Sequence, residues 1–149
     1  MKEAVGTTMV LNFVLIFIGI FIALYIGSIA YSKGFKVRNR IIDIIEKYDG
    51  YTSAAQTEID ENLRMVGYQI DLNQKCEAVD NPEDSQNPIQ PLNTNSSYNY
   101  CVYEFHTSKG YYYGVRVFIH FDFPIIGSFI EIPLYGESRI LFEKSEVEG

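Results

Sequence analysis

The sequence predicts an α+β chain: a long N-terminal transmembrane helix continuing as an amphipathic spine, a second short helix, and a C-terminal antiparallel β-sheet of about four strands. Three observations predict it. No charged side chain occurs from Ala4 to Ser32, an amphipathic helical repeat follows at once, and the last third alternates with a period of two. At 149 residues the chain has room for one small domain beside a membrane segment.

The first element is the apolar window from Ala4 to Ser32, made mostly of Val, Leu, Ile, Phe, Ala and Gly. About 20 such residues are enough to cross a bilayer as a helix. Ser28-Ile29-Ala30 also offers the small-x-small pattern of a signal-peptide cleavage site. A signal h-region of about 7 to 15 residues is roughly half as long as this run, so length favours a retained anchor. The expected division is a transmembrane helix over 1–32, its amphipathic continuation over 33–50, and a small extracytoplasmic α+β head over 51–149. Gly19, Ala23 and Gly27 fall four apart, on one helix face where another helix can approach closely.

The continuation reads "SKGFKVRNRIIDIIEKYDG". Lys33, Lys36, Arg38 and Arg40 open it, and Ile41, Ile44, Ile45 and Tyr48 then recur at helical spacing, with Ile42 broadening the stripe. Arg40, Asp43, Glu46 and Lys47 fill the other face. Between Phe21 and Asp49 there is no Pro, and the only glycines are Gly27 and Gly34, so one helix is expected to reach the stop at Asp49-Gly50. Such a helix is roughly 70 Å long. Its stripe has two destinations: the underside of a sheet, or the lipid surface with its cations at headgroups. Packing on the sheet is preferred, because it covers a face otherwise left open. The cations pull the other way on topology, since the positive-inside rule puts the segment after the membrane in the cytoplasm.

Ser53 with Gln56 three residues on fits a capping box for the second helix, Ile59, Leu63 and Val66 form its stripe, and Gly67 ends it. Residues 73–99 are rich in Asn, Pro, Ser and acids without a period, as a long polar loop is. Cys76 and Cys101 flank that loop. Neither lies in a CxxC or near a histidine at ligand spacing, so a metal site has little support. One disulfide in an oxidising compartment, closing the loop, is favoured over two inert buried thiols. Asn95-Ser96-Ser97 matches a glycosylation sequon too short to carry weight.

From Tyr111 to Phe123 apolar and aromatic residues hold the odd positions, while Gly114, Arg116, His120 and Asp122 hold even ones. Cys101, Tyr103 and Phe105 alternate before it, and Ser108-Lys109-Gly110 suits a three-residue hairpin loop. That loop pairs Phe105 with Tyr113, Tyr103 with Val115 and Cys101 with Val117. Two shorter strands are expected around Ser128–Leu134 and Glu137–Phe142, parted at Tyr135-Gly136.

Net charge is −7, divided as +2 over residues 1–50 and −9 over 51–149. An acidic head repels phosphate backbones, which argues against nucleic-acid binding. His106 and His120 fall on the polar strand face with no carboxylate or cysteine spacing to complete a ligand set. No nucleophile elbow or phosphate-binding loop is present, and Glu131, Glu137 and Glu143 sit where charge marks an exposed strand face. No catalytic residue, cofactor or metal ligand is therefore assigned. The tyrosines at 111 and 113 alternate with the core set and are expected to pack there rather than bind carbohydrate.

A short polar N-terminus, an apolar helix, its amphipathic continuation and a small closing sheet together resemble type IV pilin-like proteins. The segment "VRVFIHFDFPIIGSFIEIPLYGESRILFE" is similar to the end of TadE-like minor pilins (pseudopilins) of the tight-adherence system. Its matching parts are Val115 to Phe121, Pro124 with Gly127, Ile130 to Leu134, and Glu137-Ser138-Arg139. The resemblance implies a non-catalytic structural subunit of a tight-adherence pilus or type II secretion-like machine. It also implies a single-pass place in the cell membrane and packing with other pilin or pseudopilin subunits, including copies of itself, through the N-terminal helix. Processed family members carry a glutamate five residues after a small residue at the cleavage point. Here the sole acid is Glu3, preceded by Met1 and Lys2. The resemblance implies that Glu3 pairs with a neighbouring subunit's amino terminus; otherwise it faces water at a favourable helix start. A different class of function stays open: a single-pass binding module whose loop and sheet capture an extracellular ligand or the cell wall.

Overall fold

The computed structural model of the protein describes residues 2–68, 76–84, 86–93, 98–122 and 129–142, the side chains of 2–4, 120–122 and 129–130 excepted. Helix α1 spans Lys2–Lys47, 46 residues without interruption. Helix α2 spans Ser53–Val66, and the strands β1 (Tyr100–Thr107), β2 (Gly110–Asp122) and β3 (Phe129–Glu137) form one antiparallel sheet in the order β1-β2-β3. The chain is thus α+β, as its sequence predicts.

The spine ends where its backbone turns left-handed. Asp49 has φ +48° and Gly50 φ +146°, and the Gly50 amide donates to the Ile45 carbonyl at 2.9 Å. A glycine is needed there, both for the dihedral and because a Cβ would lie 3.1 Å from the Tyr113 hydroxyl. Helix α2 then starts one residue earlier than the capping-box reading: Thr52, not Ser53, is the N-cap, and its Oγ1 accepts from the Ala55 amide at 3.2 Å. Gly67 closes α2 with φ +64°, as expected, but Val66 points outward and only Ile59 and Leu63 of the predicted stripe are buried, together with Ala55.

One core joins spine, helix and sheet. Val37, Ile41, Ile44 and Ile45 of α1 pack with Ile59 and Leu63 of α2 against Val102, Val115, Val117 and Leu134. Gly34 lets the spine approach the sheet, since a Cβ there would sit 2.5 Å from Ile119 Cγ1 and 3.2 Å from Leu134 Cδ1. The Tyr48 hydroxyl and Lys47 both reach Glu58, at 2.8 and 2.7 Å, and tie the two helices. The Lys47 hydrogen bond, then that of Tyr48, holds the partly exposed Glu58 carboxyl below the usual carboxylate range. The Tyr68 hydroxyl, just past α2, shares its one proton between the Asn99 and Phe118 carbonyls and accepts from the Phe118 amide. Burial pushes that phenol up to about 12, so it stays a donor at any ordinary pH.

Two expectations about the sheet are corrected. The hairpin loop is Ser108-Lys109, with Thr107 opposite Gly110, so Phe105 pairs with Tyr112 and Cys101 with Arg116. A shift of one residue flips every side chain of β1. Tyr100 and Val102 therefore face the spine, and Cys101, Tyr103 and Phe105 face away. Among the described residues the sheet has three strands rather than about four: β3 runs straight through Tyr135-Gly136 to Glu137, pairing Gly136 with Val115. Beyond it the Ser138 side chain accepts from the Tyr113 amide at 2.9 Å, and Leu141 rejoins the same edge in a lone bridge with Tyr111. The segment from Ser138 to Leu141 continues β3's line along β2, with one residue bulged out.

The outward set on β1 is covered by the polar loop. Cys76 and Cys101 form a disulfide with Cα atoms 5.6 Å apart, and Val79 and Ile89, paired in a lone bridge, pack over Tyr103 and Phe105. Asn93 covers the start of β1's outer edge by accepting from the Val102 amide at 2.8 Å and donating to the Tyr100 carbonyl, and the Leu92 amide donates to the Val102 carbonyl. These edge groups are thus not free to pair with another strand.

Candidate functional site: the bare half of the spine and its junction with the head

From Val5 to Ile29 no side chain of α1 is buried; Leu15, Phe17, Phe21, Leu24 and Tyr25 are all more than half exposed. The segment is long and apolar enough to cross a membrane. A run of such length with its apolar surface uncovered on all sides has no place in water. Its predicted packing face is open, with nothing within 4 Å of a Cβ placed on Gly19. Gly19, Ala23 and Gly27 share one helix face within that segment. Glu3 lies in the first turn of α1, and its side chain is outside the described residues. Pro124, Gly127 and Glu143 also lie outside them.

The four cations that begin the continuation serve different ends. Arg38 turns to the sheet edge, donating to the Tyr135 carbonyl at 2.9 Å and to Asn39 Oδ1 at 2.8 Å, with Phe35 stacked beneath its guanidinium. Arg40 reaches Asn62 of α2 at 3.3 Å. Lys33 and Lys36 make no ion pair among the described residues. With Arg40 they line a groove of about 390 Å³ between α1 and α2, floored by Val37, Ile41, Ile44, Ile59 and Leu63. Val66 stands at its mouth, and Gly67 lies beside Ala30 and Lys33, so the groove opens at the level where the apolar run ends. The sequence carried no signal for this groove, because it depends on where α2 comes to rest.

The histidines add no chemistry to the site. His106 is exposed and sits 2.9 Å from Glu104, and the side chain of His120 is outside the described residues. Glu131 and Glu137 are exposed on β3. Among the described residues no group of three or more His, Cys, Asp or Glu is placed to hold a metal ion. No protein-family model, no curated protein and no solved structure matches this chain.

Proposed function

We propose that the protein is a non-catalytic, membrane-anchored, pilin-like structural subunit of a tight-adherence pilus or related secretion machine, with its head outside the cytoplasm. One observation carries the reading: a single helix leaves its first half bare and apolar while its second half is the floor of a small sheet domain. A chain built like this anchors by the bare half, packs sideways against other pilin-like subunits or copies of itself, and displays the head. The disulfide supports an oxidising compartment for the head, against the pull of Lys33, Lys36, Arg38 and Arg40. Deleting the gene should abolish pilus or secretion assembly, and cysteines replacing Gly19 or Gly27 should crosslink neighbouring subunits in membranes. Assembly unchanged by deletion would refute the reading.

A separate observation favours a second reading, a single-pass binding module. On the sheet face away from the spine, Phe105, Tyr112, Arg116 and Tyr135 border an open recess of about 320 Å³ beside Val79 and Pro82 of the disulfide loop. Binding of a surface ligand by the head alone would favour it. That head must include the spine from Lys33, because a fragment starting at Thr52 lacks Val37, Ile41, Ile44 and Ile45 of the core.

A further inference from the structure

We propose that the groove between α1 and α2 holds one anionic phospholipid of the same bilayer, with its phosphate at Lys33, Lys36 and Arg40 and an acyl chain along the apolar floor. The proposal rests on the membrane-anchored reading above. Charge is the first argument. In a chain of net charge −7, the wall of this groove carries three cations and no carboxylate; none of the three makes an ion pair among the described residues, and Arg40 alone feels a nearby carboxylate, Glu58. The three cations are exposed and solvated, and the groove that joins them to an apolar floor is complementary to an anion with an apolar body.

Position is the second argument. The last uncharged residue of the apolar run is Ser32, and the first cation of the groove is Lys33. Lipid phosphates lie at the level where a spanning helix leaves the hydrocarbon, within reach of long cationic side chains. The C-terminal turn of α2 stands at that same level and exposes Met65 and Val66, apolar side chains suited to the interfacial layer. A second copy of the bare helix would fill the floor yet leave the cations unmatched, because residues 4–32 carry no charge. The lipid also accounts for Lys33, Lys36 and Arg40 beside a head placed outside the cytoplasm: they bind headgroups there rather than report orientation, while Arg38 is held at the sheet edge.

The test uses the full-length chain purified in mild detergent and examined by native mass spectrometry with equimolar phosphatidylglycerol and phosphatidylcholine. One phosphatidylglycerol per chain is expected, preferred at least tenfold, with the preference falling to near unity in the K33Q/K36Q/R40Q variant. These side chains line an open groove, so the variant is expected to keep its fold, which circular dichroism checks. Equal retention of the two lipids, or a preference unchanged in the variant, overturns the site. So does glycerol 3-phosphate binding as tightly as the lipid, or a dimer that excludes lipid and survives the triple substitution. Alkaline carbonate extraction separates the two claims. Release of the chain from membranes would sink the anchor and the lipid site together, whereas retention without lipid preference sinks the site alone.

Discussion

The two halves of α1 share one backbone and meet different surroundings. Between Val5 and Ile29 no side chain is buried, while between Gly34 and Gly50 the residues Val37, Ile41, Ile44 and Ile45 lie under the sheet with 4% exposure or less. The bare half is apolar all round, whereas the covered half has one stripe and a charged face. Composition alone thus tells which half needs a solvent of hydrocarbon and which needs a protein partner. A continuous helix also couples the halves mechanically, so a head fixed on the second is held at a set height above whatever surrounds the first.

Truncation in the two halves should separate them most strongly. Ile45→Ala removes a fully buried side chain and is expected to cost the head about 2–5 kcal/mol in denaturant unfolding. Ile18→Ala, in the bare half, should leave that midpoint unchanged; equal losses would erase the distinction. Next comes the clamp on the far side of the sheet. Breaking the disulfide by Cys76→Ser, which opens a loop with a sequence separation of 25, should cost about 3 kcal/mol by the same measurement.

Two glycines on the same helix sharpen the contrast. Gly34→Leu drives a side chain into Ile119 and should destabilise the head by about 1–3 kcal/mol, whereas Gly19→Leu meets nothing and should alter only contacts between chains. The smallest effect belongs to Asp60, a half-buried carboxyl with one oxygen that finds no hydrogen-bond partner among the described residues, its pKa raised by burial. A raised carboxyl favours the fold while protonated and loses that advantage as pH rises through its folded pKa. Asp60→Asn should therefore raise the melting temperature at pH 7 by roughly 1–3 °C and change nothing near pH 3.

The helices were legible because their signals are local: an unbroken apolar run, a stripe ending at Asp49-Gly50, and Gly67 as a stop. Register was not. Both faces of β1 are apolar, Tyr100 and Val102 on one and Cys101, Tyr103 and Phe105 on the other, so alternation fits either pairing. Tyr135-Gly136 reads as a turn in sequence, yet Gly136 lies within β3, near its end, and makes room for Arg38, whose Cδ would lie 2.8 Å from a Cβ there. A glycine required by a partner 98 residues away leaves no local trace. The site shows the same division. The bare helix and its small-residue face were readable, whereas the groove depends on α2 folding back to the end of the apolar run.

Thiol labelling in intact cells tests the central claim most directly, that the bare half lies in the membrane and carries the head to its outer side. Cys76, the partly exposed partner of the disulfide, reports in a single experiment with an impermeant reagent. The account predicts no labelling of the native chain, and labelling once an impermeant reductant has been applied to the cells. Labelling that requires lysis, with or without reduction, would place the head in the cytoplasm and contradict it.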